Sequence, residues 1–398
     1  MVCSLLQKLS LSSLVAPVAD EEFRSRYWER QPLVVHRKHP DYYDGLFGLE
    51  DFEEAVTRSP DYVKVANAAT NKNVSYKGKM TEGLEAVLRD MRDGATLVLD
   101  QLHRQEPKLG LLCRVLAAEL GHRFQTNVYL TPPNGKGFSP HWDNHDVFIL
   151  QTVGSKSWNI EKQRRIFPAN CDSMGDEGRE LGGDLHSFVL EQGDLIYIPR
   201  GFVHAAECGS EPSLHITLGV TGVFWEDLLL AVVKGALLQD ERLRHALPLG
   251  FLQAPDDAVV KRLKGAFREL ADEAFLSGVV AQFKDELVRT HPLDVSDQIV
   301  DFFRPKPLGI DDVVGARRAI VYRMHDGDDS VRINYGARAI AFPSFFREAL
   351  EFALNHPAYI IREIPGDLED EERIAFAERL LEEGLVVRKE GRQIRGHS

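Results

Sequence analysis

Residues 193–204 have the sequence GDLIYIPRGFVH, and this stretch decides how the middle of the chain is expected to fold. The GD pair at 193–194 favours a tight turn, and the apolar run 195–198 is typical of a short buried strand. The PRG sequence at 199–201 favours a second turn, which would present His204. A turn, a short strand and a second turn in succession indicate an all-β sandwich or barrel.

The same pattern extends on both sides of this stretch, from Arg123 to about Val223. Short β-prone runs alternate with Gly, Pro, Asn and Asp, which mark turns. The predicted strands are Thr126–Thr131, Val147–Thr152, Ser157–Ile160, Ser187–Leu190, Leu195–Ile198 and Leu214–Val220. Many short strands of this kind predict a mostly β core in a sandwich or barrel, of which the jelly roll is one form.

Helical patterns flank the predicted β core. The predicted helices are Thr81–Asp93 and Leu109–Leu120 before the core, and Trp225–Gln239, Asp256–Glu273 and Glu273–Thr290 after it. The last part of the chain has strand-like runs at Ala319–Met324, Ser330–Asn334 and Leu385–Lys389, and helical patterns at Ser344–Asn355 and Leu368–Glu383. Their order fits a winged helix. We therefore predict three parts, residues 1–223, 224–304 and 305–398.

Length, charge and cysteine content narrow the class of protein. The chain has 398 residues, more than one hydrophobic core usually supports, and a formal net charge of −13 at pH 7. This charge argues against general binding to nucleic-acid phosphates and is compatible with a basic protein partner, although a solvated acidic surface is its commoner meaning. No apolar run approaches the roughly 18 residues of a membrane-spanning helix. The cysteines show no CxxC spacing, so we predict no disulfide framework and a cytoplasmic location.

The segment SPHWD at 139–143 contains the residues that predict a metal centre. His141 and Asp143 are two residues apart, so an extended backbone points both side chains to the same side. His204, presented by the later turn, supplies a third ligand. Two histidines and one carboxylate leave one face of an octahedron open, which is typical of non-haem Fe(II) oxygenases because O₂ and substrate oxygens can bind together. A zinc hydrolase can use the same three ligands with water in the open position.

Two other histidines compete for the place of a metal ligand. His145 closely follows Asp143 and is equally consistent with a surface position or a place behind the ligands. His215 lies in a predicted strand where alternation puts it on the same face as Ser213. If that face lines the barrel, His215 lines the pocket without necessarily touching the metal.

Lys156 begins a predicted strand shortly after the metal motif. A lysine buried in an apolar barrel is costly unless it has an anionic partner, and a dicarboxylate such as 2-oxoglutarate would be one. That molecule chelates iron through its keto-acid end and needs a cation for its far carboxylate. A solvated lysine at a strand end is the alternative. Asn127, Tyr129 and Ser213 could donate hydrogen bonds to a bound carboxylate, although each residue alone is more often structural.

The sequence resembles a known family in several stretches. The most specific one, NVYLTPPNGKGFSPHWDNHDVFILQTVGSKSW at 127–158, resembles the JmjC-type ribosomal oxygenases, which are cupin-like protein hydroxylases. The other matching stretches are FRSRYWERQPLVV (23–35), GDLIYIPRGFVHAA (193–206), SLHITLGV (213–220), AFPSFFREALEFALNHPAYIIREI (341–364) and LLEEGLVV (380–387). The last two resemble the winged-helix domain of that family in character.

This resemblance implies a fold, a chemistry and a set of site residues. The fold would be a double-stranded β-helix (a JmjC-like jelly roll or cupin), followed by a helical dimerisation region and a winged-helix-like domain. The chemistry would be hydroxylation of a side chain in a ribosomal-protein-like protein or peptide by a homodimer, using Fe(II), O₂ and 2-oxoglutarate as co-substrate. Iron would be held by His141, Asp143 and His204. The residues implied to hold 2-oxoglutarate are Lys156, Asn127, Tyr129 and Ser213.

Several alternatives remain open at this point. The same chemistry could act on a ribosomally made peptide natural product or on a small molecule. A metal cupin that works without 2-oxoglutarate and a non-catalytic scaffold are two further readings. Direct nucleic-acid binding by the winged-helix-like part is disfavoured, because its candidate helix Leu368–Glu383 is strongly acidic.

Overall fold

In the computed structural model the chain is described over residues 4–59, 62–70, 72–76, 80–169, 172, 182–183, 186–247, 249–253 and 255–389. Contacts between residues divide the chain into two compact units, 1–222 and 223–398. Both units combine α-helices with antiparallel β-sheets. Within the described ranges, no helix combines the length and the hydropathy needed to cross a lipid bilayer.

The first unit begins with helices and continues into the β core. Its helices are α1 (Ser4–Gln7), α2 (Leu11–Val15), α3 (Asp20–Glu22), α4 (Leu49–Arg58), α5 (Met80–Arg92) and α6 (Pro107–Leu120). Its strands are β1 (Leu33–Val35), β2 (Val63–Asn67), β3 (Lys72–Ser75), β4 (Thr96–Leu99), β5 (Arg123–Thr131), β6 (Asp146–Gly154), β7 (Lys156–Gln163), β8 (His186–Leu190), β9 (Leu195–Ile198), β10 (Phe202–Glu207) and β11 (Ser213–Thr221). All six strands predicted for the core are present.

These strands form two sheets with the connectivity of a jelly roll. In the part of the chain that the structure describes, the larger sheet has the order β1-β9-β6-β11-β5-β4-β2-β3 and the smaller one β10-β7-β8. Strand β6 leads to β7 and β8 in the smaller sheet, and the chain then crosses to β9, back to β10 and again to β11. This alternation between two antiparallel sheets confirms the predicted double-stranded β-helix.

Strand β9 shows why the middle of the chain is so apolar. Leu195 and Tyr197 pack into the core that contains the N-terminal helices. Ile196 and Ile198 point the other way, into a second apolar cluster between the two sheets. A strand buried on both faces has a continuous apolar run instead of an alternating one. The LIYI sequence therefore fixes β9 as an inner strand, with a turn at each end.

The second unit has a helical part followed by a mixed part. Its helices are α7 (Trp225–Gln239), α8 (Asp256–Leu270), α9 (Glu273–Thr290), α10 (Gln298–Phe303), α11 (Arg347–Asn355) and α12 (Asp370–Glu382). Its strands are β12 (Val313–Ala316), β13 (Tyr322–Asp326), β14 (Ser330–Tyr335), β15 (Arg338–Pro343), β16 (Tyr359–Ile360) and β17 (Val386–Arg388). They form the sheets β16-β12-β17 and β13-β14-β15 around an apolar core of their own. The predicted separation at 304/305 stays a prediction.

Candidate metal centre

His141, Asp143 and His204 come together at one end of the space between the two sheets. One potential ligand atom from each residue lies within 4.8 Å of the others. The backbones of the two histidines are paired directly: His141 N–H donates to the His204 carbonyl at 3.1 Å, and His204 N–H donates to the His141 carbonyl at 2.8 Å. Residues far apart in sequence are thus held side by side by main-chain hydrogen bonds.

Hydrogen bonds to the two imidazoles determine which nitrogen atoms are free. His141 Nδ1–H donates to the Ser139 carbonyl at 2.9 Å, and His204 Nδ1–H donates to the Phe202 carbonyl at 3.0 Å. A carbonyl can only accept, so in each neutral ring the lone pair must be on Nε2. The His204 Nε2 atom lies 3.7 Å from Asp143 Oδ2. The Nε2 atom of each ring is therefore free to bind a metal, and the hydrogen bond from Nδ1 to the main chain fixes the orientation of the ring.

The charges of these groups at neutral pH suit a divalent metal. Burial, together with nearby His141, lowers the pKa of His204 to about 4. Burial of Asp143 opposes its ionisation, but His141, His204 and His145 outweigh it and hold the pKa of Asp143 below its ordinary value. A neutral imidazole and an ionised carboxylate are the forms that bind metals. The donor set, with His204 and Asp143 in these forms, therefore fits a resident divalent metal ion.

A cavity of about 270 Å³ opens next to the three side chains. Both sheets contribute to its wall, and aromatic and apolar side chains alternate there with a few polar ones. The lining residues are Thr96, Asn127, Tyr129, Gly137, Phe138, His141, Asp143, His145, Val147, Ile149, Lys156, Trp158, His204, Ala205, Ala206, His215 and Thr217. The volume is enough for a small organic acid beside the metal position.

Lys156 lies in this cavity with only 3% of its surface exposed. Its Nζ donates to Thr131 Oγ1 at 2.9 Å, and Thr131 in turn shares a hydrogen bond of 2.9 Å with Thr96. Burial lowers the pKa of Lys156 to about 8. Within the described ranges no carboxylate forms an ion pair with it. A buried ammonium held only by a hydroxyl is unfavourable in the free protein, and an anion entering the cavity would relieve that cost.

The chain is similar in sequence to known proteins. Residues 99–228 match the family model described as the JmjC domain. This part of the chain is a JmjC domain. Ribosomal oxygenase 1 of Gallus gallus is 36% identical over 273 residues, which cover 64% of this chain and 45% of the relative. Ribosomal oxygenase 2 of Mus musculus is 32% identical over 278 residues, covering 66% of this chain and 59% of the relative. The chain thus spans about half the length of these relatives.

The fold also resembles a solved structure along most of its length. The structure described as YcfD, a ribosomal oxygenase from Escherichia coli, in complex with cobalt and 2-oxoglutarate has a TM-score of 0.52 and 16% identity. The match covers 92% of this chain and 97% of that one. At this identity the likeness shows the cupin-type fold of the JmjC domain.

The other predicted site residues of the JmjC domain occupy different positions around the cavity. Asn127 and Tyr129 line it; Asn127 Oδ1 accepts a hydrogen bond from Gln101 N–H at 2.9 Å, and the Asn127 side chain also hydrogen-bonds that of Tyr129. Ser213 is fully buried and does not line the cavity; its hydroxyl accepts a hydrogen bond from Gln151 Nε2 at 2.8 Å. It lies directly across from Thr131 in the sheet, one strand from the residue that contacts Lys156.

The two competing histidines line the cavity but do not join the cluster of three. His145 is accommodated because Gly219 has no side chain, since a Cβ there would lie 3.0 Å from the imidazole. His215 stacks on Tyr129 with ring centroids 4.8 Å apart, and burial holds its pKa well below the ordinary value. Its Nδ1 and the Nε1 of Trp158 are buried polar atoms with no hydrogen-bond partner among the residues that the structure describes. Unsatisfied polar groups in a cavity are typical of a site that receives a ligand or ordered water.

Sequence reasoning missed Thr131 and Thr96. Thr131 is an even number of positions from Asn127 and Tyr129 in β5, so the alternation of side chains along a strand could have placed it on the same face. Thr96 gave no such signal, because β4 is brought beside β5 only by the fold.

Proposed function

We propose that this protein is an oxygenase dependent on Fe(II) and 2-oxoglutarate that hydroxylates a side chain of a protein or peptide. The observation that carries this proposal is one cavity that contains both a cluster of two histidines and one carboxylate and a buried lysine without a carboxylate partner among the described residues. The cluster suits a metal with open positions, and the lysine suits a dicarboxylate.

His141, Asp143 and His204 would hold the ferrous ion through two Nε2 atoms and one carboxylate oxygen. Bound iron would supply the activation of O₂ that inserts one oxygen atom into a substrate C–H bond, while 2-oxoglutarate is oxidised to succinate and CO₂. The chain orients both imidazoles through their Nδ1 hydrogen bonds to main-chain carbonyls, and it buries His204.

Lys156 would bind the far carboxylate of 2-oxoglutarate, and Asn127 and Tyr129 would donate hydrogen bonds to the same molecule. All three line the cavity. The description of the Escherichia coli ribosomal oxygenase in complex with cobalt and 2-oxoglutarate supports 2-oxoglutarate as the ligand. Ser213 would assist from the neighbouring strand, beside Thr131. A metal cupin without 2-oxoglutarate is less well supported, because it leaves the burial of Lys156 without a reason.

The substrate class is proposed from the relatives and from charge. The matched relatives are named ribosomal oxygenases, and this chain has a formal net charge of −13, which favours association with basic proteins. We therefore propose a ribosomal-protein-like substrate. A ribosomally made peptide natural product and a small molecule are the alternatives.

The substrate proposal is tested by intact-mass spectrometry of ribosomal proteins and small peptides from cells with and without the active protein. We expect one ribosomal protein to gain the mass of one oxygen atom only when the wild-type protein is present. Cells that express the Asp143→Ala variant are the control. If this mass gain required the active protein but was found only on non-ribosomal peptides or metabolites, the ribosomal substrate would be refuted. The oxygenase chemistry would still be supported.

The affinity for 2-oxoglutarate is expected to depend on pH through Lys156. The pKa of about 8 belongs to the ligand-free protein, and a bound carboxylate favours the charged lysine. Affinity should therefore be constant below pH 8 and fall by about tenfold per pH unit above it. Calorimetric titration of the anaerobic protein loaded with Mn(II), between pH 7 and 9, measures this. An unchanged dissociation constant over that range would contradict the role of the ammonium.

For the second unit we propose that residues 224–304 form a dimerisation region. Helices α7 and α8 expose large apolar side chains, among them Leu229, Leu230, Leu238, Leu263 and Phe267. Apolar helical faces of this kind are usually covered by another helix. We expect light scattering at micromolar concentration to report a dimer, and the Leu230→Glu/Leu238→Glu variant to be monomeric. A wild-type monomer would count against the proposal.

Residues 305–398 are proposed to form a winged-helix-like domain that contacts protein and not nucleic acid. Helix α12 begins with Asp370, Glu371 and Glu372, whose charges would repel phosphates. A cytoplasmic location is also proposed, because Cys113 and Cys208 are free thiols, while Cys3 and Cys171 lie outside the described residues.

A further inference from the structure

A buried ion pair occupies the turn that precedes His204. The side chains of Arg200 and Asp146 are 7% and 2% exposed. Arg200 donates to Asp146 twice, from its backbone N–H to Oδ1 at 2.8 Å and from Nη1 to Oδ2 at 3.1 Å. One carboxylate thus fixes both the main chain and the guanidinium of the turn.

This ion pair connects the two parts of the metal centre. Asp146 begins β6, three residues after Asp143, and Arg200 lies in the turn between β9 and β10, four residues before His204. A second bond runs in parallel, from Gly201 N–H to the Asp143 carbonyl at 3.0 Å. The segment that contains His141 and Asp143 is therefore hydrogen-bonded to the turn that precedes His204.

The guanidinium also reaches the N-terminal segment. Arg200 Nη2 lies 2.6 Å from Glu29 Oε1. Glu29 has a left-handed backbone, with φ of 57°, and its N–H donates to the Tyr197 hydroxyl at 2.9 Å. Three stretches that are distant in sequence, around 29, 146 and 200, therefore meet at one arginine.

Such a pair is poorly explained as a contribution to stability alone. Burying an ion pair costs several kcal/mol of desolvation, so well-packed apolar residues of similar volume are often at least as stabilising. What an arginine shared between two carboxylates provides in addition is direction, since its planar donors fix the relative position of the groups that they join. Metal ligands need such precision, because small displacements weaken the metal complex.

We infer that Arg200 and Asp146 are positioning residues that set the separation between His204 and the pair His141–Asp143. This inference rests on the proposed function, because it concerns the metal that these three residues would hold. The pair does not touch the metal; it acts through the turn and through the start of β6.

The test is metal affinity, measured by titrating the metal-free 398-residue chain with Co(II) and following its visible absorption. Asp146→Asn and Arg200→Gln should each weaken Co(II) binding by about tenfold or more, the range seen when groups behind metal ligands are lost. Arg200→Lys keeps the charge but not the planar set of donors. Its Co(II) affinity should therefore be about threefold below that of the wild type, and higher than that of Arg200→Gln.

Asp194→Asn is the matched control. Asp194 is equally buried and lies at the opposite end of β9, where it accepts hydrogen bonds from the backbone N–H of Arg37 at 2.9 Å and of Glu191 at 3.1 Å. This variant should lose thermal stability yet bind Co(II) as the wild type does. Circular dichroism at the titration temperature confirms that each variant is folded.

The possible outcomes separate the inference from the proposed function. Unchanged Co(II) affinity in the folded Asp146 and Arg200 variants, or an equal loss in Asp194→Asn, would overturn the positioning role. If Asp146→Asn and Arg200→Gln do not fold, Arg200→Lys decides: affinity equal to wild type overturns the inference. A wild-type protein that does not bind Co(II) would instead overturn the proposed metal centre.

Discussion

Replacing Asp143 with alanine is expected to abolish binding of a divalent metal and to lower turnover by at least about 1,000-fold, which is about 4 kcal/mol of transition-state stabilisation. The carboxylate is the only anionic ligand in the cluster of three described residues, and without it only two imidazoles remain. The fold should persist, since the backbone pairing of His141 with His204 does not depend on this side chain. Co(II) titration and succinate formation measure the two effects.

His145→Ala is the matched control for this substitution. His145 lines the same cavity and lies two residues from Asp143, but it is outside the cluster of potential ligands. Its removal should leave Co(II) affinity within about threefold of wild type, since no metal ligand is lost. If Asp143→Ala retained metal and turnover, or if His145→Ala lost the metal as completely, the assignment of the ligands would be wrong.

Replacing Lys156 with alanine is expected to raise KM for 2-oxoglutarate by about 100-fold, which corresponds to about 3 kcal/mol for a buried charge pair that loses one partner. Metal affinity should not change, because Lys156 contacts Thr131 and is not part of the metal cluster. The ligand-free variant should also be more stable to heat than the wild type, since it no longer buries an ammonium without a carboxylate partner. A substitution that raises thermal stability while it lowers activity is typical of a residue that binds a ligand.

Lys162→Ala, on the same strand β7 but exposed to solvent, is the control and should leave KM unchanged. The measurements are succinate formation against 2-oxoglutarate concentration and thermal unfolding of the metal-free proteins. If Lys156→Ala kept the wild-type KM, the cavity would not bind a dicarboxylate through this residue. The protein would then fit the alternative of a metal cupin that works without 2-oxoglutarate.

Sequence patterns predicted the β core well because its signals are local. Strand β9 is bounded by turn residues on both sides, and its LIYI run has the composition of a strand buried on two faces. The helices at Trp225–Gln239 and Glu273–Thr290 were also predicted residue for residue, because each has sustained helical periodicity.

The predictions failed where local signals were weak. The strand predicted at Ala319–Met324 is wrong at its start: Ala319 has a left-handed backbone with φ of 62°, and the strand begins at Tyr322. Strand β15, Arg338–Pro343, was missed because its two alanines and terminal proline are poor strand formers. It is stabilised by pairing with β14, which is a tertiary effect.

The candidate site shows the same division between local and tertiary information. The HxD spacing of His141 and Asp143 is local, and both residues reach the cluster. The partners of Lys156 are not local, since Thr131 lies 25 positions away and is opposed to it only after the sheets have formed. Likewise, the hydroxyl of Ser213 is engaged by Gln151 from the adjacent strand β6, which no alternation within β11 could reveal.

Three side chains are proposed to hold one metal ion beside a dicarboxylate. Anomalous diffraction from crystals of the protein grown anaerobically with Mn(II) and 2-oxoglutarate locates both ligands at once. We expect a single strong anomalous peak within bonding distance of His141, Asp143 and His204, with 2-oxoglutarate extending from it to Lys156. A peak at other residues, or no peak in the JmjC domain, would contradict this proposal.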